Sequence, residues 1–211
     1  VPHFAADYVD DIVAVKQRRG VYPTALDQRA EEFGRTFNRD QAYRGLEFLP
    51  LYFRSAQALF SGIELWASVG GDPRRASTVE AARIVACLTQ LFPRAEHRRV
   101  LAEWVGVLRE EADTFYTAYW QEEEPELQAN ASAVQREWEA LAPALDISLE
   151  YLQIPNGEIF LVPALGVEGR IVTSRVAVPR AAIMAPPSGR PDLAVLSFVH
   201  ELLYPLVGEA I

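Results

Sequence analysis

Apolar residues recur at intervals of three and four through most of the first 142 residues, and this periodicity limits what the chain can fold into more than any other feature. Phe4, Tyr8, Ile12 and Val15 form one such series, and Leu26, Ala30, Phe33 and Phe37 another. Each series lines one face of a helix, and a helix with a single apolar face has to bury it against a neighbour. Region 1–145 is therefore predicted to be helical almost throughout. Within it, residues 41–67 are rich in leucine and aromatics, with Pro50 placing a kink or break. Gly70-Gly71-Asp72-Pro73 marks a loop. A helix over 77–91 follows, with Ser77 as N-cap and Glu80 completing a capping box. Val100, Trp104, Val107, Leu108, Ala112, Phe115 and Tyr119 line a long core helix over 95–121, which the run Glu122-Glu123-Glu124-Pro125 ends. One more helix over 126–141 precedes Pro143.

The texture changes after Asp146. Residues 147–152 alternate apolar and polar over most of their length, the period of a half-buried strand, and Pro155-Asn156-Gly157-Glu158 supplies a hairpin turn. Residues 159–163 would be the return strand and 171–178 a third. Ala182-Ile183-Met184-Ala185 would be a fourth, kept short and at an edge by Pro179, Pro186 and Pro187. From Pro191 to Tyr204 the chain is apolar nearly all round, the composition of a helix buried on most sides. The expected fold class is α+β: a helical N-terminal two-thirds, 1–145, then a region 146–211 holding a small, mostly antiparallel sheet and a buried C-terminal helix, the two packed as one compact unit.

Half of the 211 residues are apolar, enough to close a sizeable core without staples. Cys87 is the single cysteine, so an internal disulfide and cysteine-rich metal sites are excluded. The net charge of −9 argues against nucleic acid and anionic membranes as partners, because both need a basic surface. No apolar stretch approaches the roughly 20 residues that span a bilayer. The chain is read as soluble; its opening at Val1 without methionine leaves room for a processed leader and an extracytoplasmic location. Lys16 is the only lysine among twenty basic residues, a bias attributed to base composition.

The last helix carries His200-Glu201-Leu202-Leu203-Tyr204. A His at one position and a second ligand four residues on share a helix face, close enough for both to reach one Zn²⁺ at ~2.0–2.1 Å. A Glu directly after the first His can take a proton from the metal-bound water and return it to a leaving amine. The stretch 147–211 resembles the core of zincin metallopeptidases, the gluzincin-like group in particular. The likeness rests on this His-Glu helix and on the order of a small sheet, an edge strand and then the helix. It implies zinc as cofactor, His200 as a metal ligand, Glu201 as the catalytic base, Tyr204 at the second ligand position, and Ile183, Met184 and Ala185 as an edge strand pairing with a peptide or protein substrate.

Two departures qualify that implication. Tyr204 replaces the second His, and the third gluzincin ligand would be a Glu on a later helix. Glu209 lies nine residues beyond His200, ~13 Å along a continuing helix, and Pro205 and Gly208 oppose continuation. The likeness thus implies a peptidase relative that is inactive or cut short. The alternative reading is a non-catalytic protein-interaction domain on a degenerate peptidase scaffold. A third is an unrelated helical domain in which the His-Glu pair is accidental. His97, between Glu96 and Arg98, reads as exposed and without a role; Trp66, Trp104, Trp120 and Trp138 read as packing residues.

Overall fold

The computed structural model describes residues 6–151, 158–162, 170–172, 180–184 and 190–208. Helices dominate it. In chain order they are α1 (Ala6–Arg18), α2 (Ala25–Arg39), a 3₁₀ segment (Gln41–Tyr52), α3 (Ala56–Ser68), a short 3₁₀ turn (Pro73–Arg75), α4 (Val79–Leu91), α5 (Ala95–Glu111), a π-turn (Ala112–Tyr116), α6 (Thr117–Tyr151) and α7 (Pro191–Gly208). The strands are β1 (Glu158–Val162), β2 (Arg170–Val172) and β3 (Arg180–Met184). None of the helices is long and apolar enough, over the described residues, to cross a membrane.

The expected α+β architecture is not what the chain adopts. Residues predicted to open a hairpin at 147 belong instead to the end of α6, so among the described residues no strand precedes β1 to form the antiparallel hairpin. The predicted turns at 155–157 and 166–169, and most of the predicted third strand, lie outside the described residues. Among the described residues strand structure reduces to three short segments in the order β1-β3-β2, with β1 and β3 parallel and β2 and β3 antiparallel. The segment assigned to an edge is thus the middle strand: Ile183 and Met184 are in register with Leu161 and Val162 of β1.

Contacts divide the chain into two compact units, Val1–Val15 with Ala118–Ile211, and Lys16–Thr117. In the second, Leu59, Phe60, Ile63 and Trp66 of α3 meet Val85 and Leu88 of α4 and Val100, Leu101 and Val105 of α5 in one core. Tyr43, Leu46 and Leu49 of the 3₁₀ segment close one side of it. Helix starts follow their caps. Thr24 begins α2 through a capping box with Asp27, Ser55 begins α3, and Thr78, one residue later than predicted, begins α4 by accepting from Ala81 N–H at 3.1 Å. Gly70 and Gly71 turn the chain after α3 with φ of 68° and 79°, which a side chain would resist. In the other unit Ala194, Val195 and Phe198 of α7 pack with Val134 and Trp138 of α6 and with Ile159 and Leu161 of β1.

Candidate functional site

Helix α7 runs through the His-Glu motif as predicted, but it is not buried all round. Ala194, Val195 and Phe198 face the core, while Leu196, 59% exposed, and His200 face solvent from the opposite side. Four residues separate those two, so they lie one turn apart on a single stripe. Glu201, next along the chain, is half-buried. Tyr204 lies on the same helix with its side chain outside the described residues, and Ala185 lies outside them altogether. A catalytic zinc takes three protein ligands and a water. Among the described residues no three His, Cys, Asp or Glu side chains come together to hold a metal, and the second position on α7 is a phenol.

Two polar clusters that the sequence did not reveal lie in the unit Lys16–Thr117. The first is built on Lys16, 2% exposed. Its ammonium group carries three N–H donors and meets three acceptors: Thr24 Oγ1 at 3.2 Å, the Asp27 carboxylate at 2.9 Å and Glu111 Oε1 at 2.7 Å. Thr24 and Asp27 are the residues that cap α2, and Glu111 ends α5 immediately before the π-turn. The ring of Phe115 in that turn lies 5.4 Å from the ammonium nitrogen. Burial acts against ionisation of Asp27, but the Lys16 ammonium and the Thr24 N–H and hydroxyl together outweigh it and hold its carboxyl below the ordinary value. Glu111 Oε2 is buried without a hydrogen-bond partner among the described residues.

The second cluster corrects the reading of His97, which is buried, 2% exposed, at the start of α5. Its Nδ1 accepts from the backbone N–H of Arg94 at 3.3 Å, which leaves Nε2–H to donate to Asp40 Oδ2 at 2.8 Å. Arg94 also pairs with Asp40. With Nε2 protonated, the short approach of Arg94 Nε to that nitrogen is a packing contact and not a hydrogen bond. Burial first, and then the Arg94 guanidinium, push the His97 imidazole below its ordinary value, favouring the neutral ring. Below about pH 6.5 an unfolded chain gains a proton here that the folded chain resists. Stability is therefore complete above that pH and falls as pH drops from the ordinary histidine value to the lowered one. Urea midpoints should decline between pH 7.5 and 5.5, and His97→Gln should flatten that decline; an equal decline in the variant would show that other groups cause it. A second loss, as pH falls through the lowered Asp27 value, follows the same sign.

One sequence signal, read above as base composition, could have found the first cluster. A lone lysine in a chain that otherwise uses arginine marks a position where a compact ammonium is needed and a planar guanidinium is not. No signal marked His97, whose charged neighbours in sequence suggested solvent. Comparison with protein-family models, with curated proteins and with solved structures gives no match to this chain.

Proposed function

We propose that the chain is a non-catalytic protein-interaction domain that engages a polypeptide partner through the outer face of α7. The observation that supports this reading is the stripe formed by Leu196 and His200, an apolar side chain and an imidazole held in solvent by a helix whose other face is anchored in a core. Large apolar side chains held rigidly at a surface favour association over solvation. The net charge of −9 favours a basic partner segment. A random-peptide display library selected on the immobilised chain should yield binders rich in basic residues, and Leu196→Glu should weaken them at least about ten-fold, a loss of roughly 1.4 kcal/mol. Binders indifferent to that substitution would remove α7 as the contact.

The second reading, a zinc peptidase of the zincin type, is favoured by the consecutive placement of an exposed His200 and a half-buried Glu201 on one helix. Metal analysis separates the two. The interaction reading expects well under one zinc per chain. Stoichiometric zinc that disappears in His200→Ala, together with hydrolysis of a fluorogenic peptide that disappears in Glu201→Gln, would replace it with the peptidase. Tyr204→His tests the helix face itself: if a second imidazole raises zinc affinity, α7 presents a metal-binding face whatever its present role.

A further inference from the structure

We propose that the cleft at the start of α5 is a binding site for a small oxyanion, a carboxylate or a phosphate. The cleft, about 260 Å³, is lined by Thr36 and Arg39 from the end of α2, Asp40 and Tyr43 from the 3₁₀ segment, and Arg94 and Glu96 from the start of α5.

Four observations converge there. Arg39 makes no hydrogen bond or ion pair among the described residues, so its guanidinium is available to the cleft. Tyr43 is 5% exposed, its ring held against Phe37, Phe92 and His97, yet its hydroxyl has no hydrogen-bond partner among the described residues. The hydroxyl is not itself a buried unpartnered atom; it is the solvent-reached end of an otherwise buried side chain that lines the cleft. α5 is 17 residues long with Arg94 as its N-cap; the Arg94 carbonyl accepts from the His97 N–H at 3.2 Å, which leaves the Ala95 and Glu96 N–H groups without a protein acceptor among the described residues. Finally, Asp40, the carboxylate that would otherwise oppose an anion, is already committed to His97, Arg94 and the N–H of Ala42. Free donors thus converge on one concavity: a guanidinium, a phenol and the positive end of a helix. Glu96 is the exposed carboxylate that opposes binding, which fixes the sign of one variant.

The geometry assigns roles that can be separated. Arg39 supplies charge, Tyr43 a short neutral hydrogen bond, and the Ala95 and Glu96 amides the helix-terminal contacts. Asp40, bonded to the buried His97, fixes the position of Arg94.

The test is a titration of the intact chain with inorganic phosphate, and separately with acetate, at constant ionic strength made up with chloride. It is followed through backbone amide resonances of residues 94–98. Saturable shifts with a dissociation constant of about 1 mM are expected from at least one of the two anions, and the tighter of them identifies the class. Arg39→Gln, an exposed position whose loss leaves the fold intact, should weaken binding about ten-fold or more. Tyr43→Phe, which keeps the ring, should weaken it about three-fold to ten-fold. Glu96→Gln should tighten it. The proposal is overturned if neither anion gives saturable shifts, if Arg39→Gln binds as the unaltered chain does, or if Glu96→Gln weakens binding.

Discussion

Lys16→Met is expected to lower the stability of the unit Lys16–Thr117 by about 3–5 kcal/mol, the usual consequence of removing one partner from a buried ion pair. The side chains of Lys16, Asp27 and Glu111 are 3%, 16% and 8% exposed, so solvent screens the cluster little. Methionine matches the stem of lysine and leaves no large cavity, so the loss reports charge and not packing. It strands Glu111, whose Oε2 already lacks a partner, and deprives Asp27 of the cation that favours its ionised form. It also loosens the capping box that starts α2, since Thr24 and Asp27 both bond the ammonium. Lys16→Arg should cost less, on the order of 1–3 kcal/mol, because the charge survives while a planar fork replaces three tetrahedral donors in a filled site. The triple variant Lys16→Met, Asp27→Asn, Glu111→Leu should recover much of the loss, since it removes the stranded charges along with their partner. Urea denaturation at pH 7, followed by circular dichroism, measures all three. A loss below about 1 kcal/mol for Lys16→Met would mean that water reaches the cluster and that its burial is not maintained in solution.

The helical two-thirds was legible because the series through Phe33 and Phe37 and through Val100, Trp104 and Leu108 follow full or partial burial, which is what a pattern of three and four reports, although Ala30 in the first series is exposed. What failed was punctuation. Pro125 and Pro143 were read as helix ends, yet α6 runs through both. A proline removes one N–H and frees the carbonyl four residues earlier. Pro125 and Pro143 are both exposed, so a freed carbonyl at either site can turn to water and the helix continues through them. The same continuation explains the lost hairpin. The six-residue alternation at 147–152 was too short to outweigh a helix already propagating from Thr117, since extending a helix fixes one residue for each bond gained. The reading of α7 missed one stripe. A nearly all-apolar helix should be buried on most sides, but Leu196 and His200 stand in solvent. Composition records how apolar an element is, not how many of its faces find a neighbour. Both polar clusters are built from residues far apart in sequence, 57 positions for Asp40 and His97, and a single sequence carries no signal of such pairing.

Trp66→Ala should be the most damaging single substitution in the core of the same unit, costing about 3–5 kcal/mol. Trp66 is 0% exposed, packs against Phe92 with ring centroids 6.1 Å apart, and joins α3 to α4 by donating from Nε1 to Thr89 Oγ1 at 2.9 Å. The Thr89 hydroxyl passes the connection on, donating to the carbonyl of Gly71 at 2.8 Å. The indole therefore fills volume and also anchors the turn at which Gly71 adopts its positive φ. Two conservative variants divide these roles. Thr89→Val keeps the shape but leaves the indole N–H and the Gly71 carbonyl without their shared partner, at a cost of about 1–3 kcal/mol. Trp66→Phe loses the N–H and part of the volume together. Because both substitutions break the same hydrogen bond, their double variant should cost less than the sum of the two by roughly 0.5–1.5 kcal/mol, the range of a single such bond. Strict additivity would mean that the indole acts through packing alone and that the turn after α3 is held by its glycines. A coupling of the expected size would show that this chain of three groups ties the Gly70-Gly71 turn to the helices on either side of it.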